Sequence, residues 1–191
     1  YEHEKGRGNS KAAQKELEYA YKLNPFFVPT VTRLSYAYIA QKKMRKAASI
    51  IEKAWCKTPH PELAILWDCL APQATEKNKD KRLSWYEKLV SFAPGSAEGQ
   101  MTAARAAMDM GLWGEAKAYL MVAEKIRPSA RLFRLRAIVE QNSTHNEDAI
   151  HQFMEKASEA LPDKVWVCSE TGLTYDEWLP LAMPHESFNT I

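Results

Sequence analysis

Apolar residues recur every three to four positions along most of the chain, and each apolar run ends near a proline. Residues with this spacing share one face of a helix, so the pattern predicts a series of amphipathic helices. Proline cannot continue a helix, and it therefore marks where one helix ends and a connection begins. The prolines are Pro25, Pro59, Pro94, Pro128 and Pro162, at intervals of 34, 35, 34 and 34 residues.

Three residues precede each of these prolines with the same spacing of four, three and five positions. The first and third are mostly small and the second is mostly large, which lets a second helix approach this face closely. A repeat of about 34 residues with this pattern is typical of tetratricopeptide hairpins. The triplets are Ala13-Leu17-Ala20, Ala47-Ile51-Ala54, Arg82-Tyr86-Leu89, Ala116-Leu120-Ala123 and Ile150-Met154-Ala157.

The first helix of each hairpin is also visible. In one unit Val31, Leu34 and Tyr38 take the inward positions, and Ser35 is the small residue where the helices cross. In the unit that ends at Pro128, Gly111 separates the two helices.

These patterns predict an all-α fold, a right-handed solenoid of tetratricopeptide-like hairpins over residues 1–162. Residues 163–191 follow as a separate tail outside the repeats.

A solenoid of this kind lines its concave groove with the first helix of each hairpin. Side chains on these helices that are not needed for packing are expected to face a protein or peptide ligand. For Trp67 and Leu135 burial against neighbouring helices is the alternative, because the register of their units is less secure. The predicted groove residues are Thr32, Tyr36, Ile39, Trp67, Met101, Arg105, Met108, Leu135 and Val139.

The charges are balanced, with 26 Lys and Arg against 24 Asp and Glu, which argues against a nucleic-acid binder. Two basic runs lie near successive turns between helices, and the repeat places both on one edge of the solenoid. They form either a solvated edge or a contact with anionic lipid. The runs are Lys42, Lys43, Arg45 and Lys46, and Lys77, Lys79, Lys81 and Arg82.

The sequence does not predict an enzyme, a metal site or a bound cofactor. It contains no phosphate-binding loop, no zinc-protease motif and no nucleophile elbow. Its three cysteines are odd in number and far apart, which indicates free thiols. Cys56 and His60 flank a turn proline and could ligate haem iron, so a haem- or porphyrin-handling protein is the alternative function.

The tail after Pro162 is rich in aromatic residues and has no helical period. It predicts an extended segment that covers the exposed end of the last hairpin. Two further possibilities are that the tail, or a second copy of the chain, fills the groove.

Part of the tail looks like a degenerate rubredoxin-type or zinc-ribbon knuckle pair. Thr171 stands where a second cysteine is needed, and Met183 and Glu186 stand where the other knuckle needs thiols. A closed zinc site takes four ligands, which Cys168 and His185 cannot supply.

After a tetratricopeptide array, the tail resembles the C-terminal end of the HemY family, which consists of inner-membrane proteins associated with haem biosynthesis. The resemblance implies an N-terminal membrane anchor outside this sequence, a cytoplasmic repeat domain and haem-biosynthesis enzymes as partners. It rests on Trp166-x-Cys168, Gly172, Trp178-x-Pro180 and Phe188-Asn189-Thr190.

Overall fold

The structure, a computed structural model, describes residues 10–184, 187–188 and 190–191. In this part of the chain there are nine α-helices, one 3-10 helix and four short strands. The α-helices are α1 (Ser10–Leu23), α2 (Val28–Ala40), α3 (Met44–Trp55), α4 (Pro61–Cys69), α5 (Lys79–Phe92), α6 (Ala97–Asp109), α7 (Trp113–Ile126), α8 (Ala130–Ser143) and α9 (Glu147–Glu159). The 3-10 helix is Glu76–Asn78, and the strands are β1 (Trp166–Val167), β2 (Thr174–Tyr175), β3 (Leu181–Ala182) and β4 (Ser187–Phe188).

The helices form successive hairpins, which confirms the all-α solenoid. Helices α2, α4, α6 and α8 come first in their hairpins, and α3, α5, α7 and α9 come second. In α7 the predicted triplet Ala116, Leu120 and Ala123 is fully buried. This is expected of residues that pack against a second helix at a close crossing. The crossing residue Ser35 is fully buried as well.

Two features fix where the helices begin and end. The side chains of Ser96 and Ser129 accept hydrogen bonds from backbone N–H groups in the first turns of α6 and α8. At the turn after α6, Gly111 has a φ of 71°, a left-handed conformation that glycine adopts without steric cost. The predicted break at Gly111 is therefore confirmed.

The hairpin of α4 and α5 departs from the small-large-small rule. Its crossing position carries Arg82, whose buried guanidinium forms an ion pair with Asp68 and donates to the carbonyl of Pro72 at 2.7 Å. Tyr86 also donates to the Asp68 carboxylate, and burial, followed by this hydrogen bond, raises the pKa of Tyr86. A buried polar network therefore replaces the close alanine contact of the other hairpins.

A tryptophan pair joins the same two helices. The rings of Trp67 and Trp85 stack with centroids 4.3 Å apart. Each indole Nε1 donates to the backbone carbonyl of the other residue at 3.1 Å. The two indole rings therefore join α4, which has only nine residues, to α5.

The tail is more ordered than the sequence predicts, because it forms two antiparallel strand pairs, β1 with β2 and β3 with β4. It leaves the array beside α8, where Ala130 N donates to Leu161 O at 3.1 Å and Arg134 pairs with Asp163 at 2.7 Å. The strands have no helical period, so the pattern of apolar residues gave no sign of their pairing.

Candidate partner-binding groove

Three of the predicted groove residues lie on α2. Tyr36 is 52% exposed, and Thr32 and Ile39 are partly exposed, with Ile39 also packed against the core. The Thr32 hydroxyl donates to Glu62 Oε2 on α4 at 3.3 Å. Thr32 and Tyr36 therefore border an open surface between the first helices of two hairpins.

The register predicted for α4 is not the one observed. Trp67 is fully buried against Trp85, so it belongs to the core and does not line the groove. The helix begins at Pro61 behind the cap residue His60, and this start turns Glu62 and Ile65 towards Thr32 and Tyr36. Pro94, the proline that ends this unit, is a poor guide to the register of α4. The connection between α4 and α5 is unusually long, so positions in α4 lie further from Pro94 than the repeat predicts.

Helix α6 carries the next three predicted residues. Arg105 is exposed and Met108 is partly buried. Met101 is 7% exposed and lies 3.9 Å from Arg131 Nη2 on α8. Of these three predicted residues, only Arg105 has an exposed side chain.

On α8 both predicted residues, Leu135 and Val139, are buried in the core. The cap residues Ser96 and Ser129 are 33 residues apart, whereas the prolines that end the two units are 34 apart. The register of α8 follows its cap residue Ser129. The groove positions on α8 therefore lie one residue earlier in the sequence than the prolines predict. The exposed side chains at these positions are Arg134 and Ile138.

The tail lies across part of this groove. The Trp166 indole donates to Glu62 Oε1 at 3.0 Å, and its ring lies 5.2 Å from that of His60. Trp178 packs on α2, with its ring centroid 4.9 Å from the guanidinium carbon of Arg33. Both tryptophans therefore contact first helices near the start of the array, away from the last hairpin that the tail was predicted to cover.

A cavity of about 690 Å³ continues the groove towards the turns between hairpins. Glu98 and Arg131 form an ion pair on its wall. Burial raises the pKa of the Glu98 carboxyl, and Arg131 opposes that rise. The pair joins α6 to α8 and fixes the wall of the cavity.

Cys56 and His60 also line this cavity. His60 Nδ1 accepts a hydrogen bond from Glu62 N, and burial lowers the pKa of the imidazole. Among the residues that the structure describes, no three His, Cys, Asp or Glu side chains are grouped to hold a metal ion, and His185 lies outside those residues. The His60 ring thus caps α4 and packs on the tail.

The basic edge is smaller than predicted. Arg82 points into the buried network with Asp68 and does not face solvent. Lys79 pairs with Glu76 at 2.8 Å. Lys42, Lys43, Arg45 and Lys46 remain exposed at the other turn.

The three cysteines should react at different rates. Cys56 and Cys69 are exposed, and Cys168 is buried. Hydrogen bonds from Thr171 and Thr190 lower the pKa of Cys168 to about 7, but a reagent must still reach the sulfur. We expect a colorimetric disulfide reagent to titrate two thiols rapidly and the third roughly ten times more slowly, with three equal thiols after unfolding.

The control for this prediction is Cys168→Ala, which should abolish the slow phase and leave both rapid thiols unchanged. Three rapid thiols in the native protein would contradict the packing of the tail.

The hairpins and their concave face define this chain as a tetratricopeptide-like α-solenoid. No protein-family model matches the sequence. The chain is 26% identical over 153 residues to a protein of Magnetospirillum gryphiswaldense described as "Probable magnetosome protein Mms48". The match covers 80% of this chain and 33% of the relative, so the chain spans about a third of the length of that relative.

Among solved structures the chain is similar to a crystal structure of MamA, with a TM-score of 0.50 and 14% sequence identity. That match covers 82% of this chain and 91% of the MamA chain. At this identity the likeness concerns the fold, and it confirms the helical solenoid.

The resemblance to the HemY family is wrong, because the relative matched over most of the chain is described as a magnetosome protein. Haem-biosynthesis enzymes as partners and an inner-membrane location followed from that resemblance and are not supported. None of the described helices is long and apolar enough to span a bilayer.

Proposed function

We propose that this chain is a protein-binding scaffold whose concave face holds an extended segment or an amphipathic helix of a partner. The supporting observation is that an extended segment, the chain's own tail, already packs on this face through Trp166 and Trp178. Flat solvated surfaces seldom hold two large aromatic side chains in this way, and buried aromatic anchors carry much of the affinity of protein interfaces.

The rest of the face offers the chemistry for a further contact. Tyr36, which lies beside the tail, and Ile138 expose apolar surface, and Arg105 supplies positive charge. These side chains suit a segment that carries both apolar and acidic residues. We place the binding function in the array up to residue 162 and treat the tail as a separate element.

The description of its relative supports a setting for the scaffold. Mms48 is described as a probable magnetosome protein, which supports partners in the same setting for this chain. A second copy of the chain is a further candidate partner, because the same groove could accept a segment from a neighbour.

Affinity capture with a groove variant tests the scaffold. Tyr36→Ala with Arg105→Glu removes an exposed aromatic ring and reverses an exposed charge. We expect proteins retained by the wild type to fall by about tenfold, because an aromatic anchor and a charge reversal act on the same interface. Quantitative mass spectrometry of the retained proteins measures the change.

The matched control is Met121→Ala with Lys125→Glu, which makes the same kinds of change at exposed positions on the second helix α7. This control should retain the same proteins as the wild type. Equal retention by the groove variant would place the binding surface elsewhere. Light scattering on the wild type and both variants reports whether the partner is another copy.

A further inference from the structure

Glu62 is arranged as an acceptor for an indole N–H. Its Oε2 accepts from the Thr32 hydroxyl at 3.3 Å, which leaves Oε1 directed at the tail. Trp166 Nε1 donates to that oxygen at 3.0 Å. Tryptophan carries an N–H on its ring edge, and phenylalanine offers no donor there. The site therefore distinguishes tryptophan from phenylalanine.

The His60 ring supports the same indole. It lies 5.2 Å from the Trp166 ring at an angle of 39°, and its position is fixed by the hydrogen bond from Glu62 N to Nδ1. We call the surface formed by His60, Glu62 and Thr32 the indole subsite.

A second aromatic side chain of the tail lies on α2. The guanidinium carbon of Arg33 is 4.9 Å from the centroid of the Trp178 ring, and Arg33 Nη2 donates to the Trp178 carbonyl at 3.4 Å. Phe27 meets the same ring edge-on at 5.5 Å. This arrangement contacts a ring face and a backbone carbonyl, so it accepts any aromatic residue of an extended segment. We call it the aromatic subsite.

Trp178 fits the aromatic subsite imperfectly. Its Nε1 is buried, and it makes no hydrogen bond to any of the residues that the structure describes. A buried N–H without a partner loses the hydrogen bond to water and gains nothing in return. Phenylalanine has no such group, so it should bind there more tightly than the tryptophan of the tail.

We propose that the tail is an internal ligand of the groove, and that a partner replaces it with an extended segment carrying tryptophan for the indole subsite and phenylalanine for the aromatic subsite. This inference rests on the proposed scaffold function and adds its regulation. The partner must compete with the tail for the groove. Its apparent affinity for the chain is therefore its affinity for an uncovered groove multiplied by the fraction of molecules whose groove is uncovered.

The experiment adds the tail in trans to the full chain. The probe is a fluorescein-labelled peptide of residues 163–191, and the receptor is the chain with Trp166→Ala and Trp178→Ala, which we call the open variant. We expect the open variant to bind the peptide at least about tenfold more tightly than the wild type, because its groove has no competing tryptophans. Fluorescence anisotropy gives both dissociation constants.

Changes in the peptide test each subsite. A peptide with Trp166→Phe should bind the open variant about tenfold more weakly, since it loses a hydrogen bond to a charged acceptor. A peptide with Trp178→Phe should bind several-fold more tightly, since it buries no unpaired N–H. Adding Glu62→Ala to the open variant should abolish the difference between the first peptide and the unchanged one.

Val167→Ala in the full chain is the matched control, because Val167 follows Trp166 in β1 and its side chain is exposed. It should bind the peptide as weakly as the wild type. Circular dichroism checks that the open variant is folded. The single change Trp166→Phe in the full chain keeps the ring, and it should raise peptide binding several-fold even if the open variant unfolds.

Equal binding of the peptide by the wild type and both tryptophan variants would overturn the internal ligand. A Trp166→Phe peptide that binds as well as the unchanged one would overturn the indole subsite. Either result combined with groove-dependent capture of partners would leave the scaffold function standing. Loss of groove dependence in the capture experiment contradicts the scaffold itself, whatever the peptides show.

Discussion

Trp67→Ala should lower the free energy of unfolding by about 4 kcal/mol, as is usual when a buried tryptophan is truncated to alanine. Trp67 is fully buried, stacks on Trp85 and exchanges indole-to-carbonyl hydrogen bonds with it. Truncation leaves a cavity between α4 and α5 and removes the indole N–H of Trp67 that donates to the Trp85 carbonyl. Urea denaturation followed by circular dichroism measures the loss.

Two variants make this prediction specific. Trp67→Phe keeps most of the apolar surface and loses one hydrogen bond, so it should cost about 1–2 kcal/mol. Trp113→Ala removes a tryptophan that is only partly buried, at the start of α7, and should cost less than Trp67→Ala. If Trp67→Ala left stability unchanged and weakened partner binding, Trp67 would line the groove and the packing of α4 would be wrong.

The hairpins were predictable because each depends on contacts between residues near in sequence. The small residues Ala47 and Ala54, and the large Ile51 between them, are fully buried where the triplet places them. A proline five residues later ends each second helix by removing a backbone donor. These effects act within one hairpin, so the spacing of a few residue types reveals them.

The groove was less predictable because its residues depend on where each first helix begins. The caps His60 and Ser129 set those starts, and the prolines that define the repeat lie one or more residues out of step with them. A one-residue shift turns a helix by about 100°, which moves Leu135 from the groove into the core. The interval between cap residues, rather than prolines, is the signal that would have found Ile138.

The contacts of the tail were beyond the sequence patterns for a different reason. Trp166 meets Glu62 across 104 residues, and Arg33 meets Trp178 across 145. No local period relates residues so far apart. The sequence showed only that aromatic residues outside the repeats need a surface to cover them.

Arg82 shows how a departure from the repeat carries information. At the first position of its triplet the other four units have alanine or isoleucine, and this unit has the longest basic side chain. A buried guanidinium requires acceptors, and α4 supplies Asp68 near its end together with the Pro72 carbonyl beyond it. The buried arginine thus occurs in the hairpin whose first helix is short and whose connection is long, and both of its acceptors lie at the end of that helix or in that connection.

Asp68→Ala should lower the free energy of unfolding by about 2–3 kcal/mol, because it leaves the buried Arg82 guanidinium without its carboxylate. The Asp68 side chain is 53% exposed, so solvent already weakens the ion pair itself. The cost comes mainly from the uncompensated charge and from Tyr86, whose hydroxyl loses its acceptor. Urea denaturation gives the value, and Asp80→Ala at an exposed position in the first turn of α5 should cost under about 1 kcal/mol.

Replacing the charge should reverse part of this loss. The double variant Asp68→Ala with Arg82→Met fills the same crossing position with an apolar side chain of similar length and leaves no buried charge. The Tyr86 hydroxyl still lacks its acceptor, so we expect the double variant to recover about half of the free energy of unfolding that Asp68→Ala loses. A double variant at least as unstable as Asp68→Ala would mean that the bond from Arg82 to the Pro72 carbonyl, rather than the ion pair, holds the connection of this hairpin against its second helix.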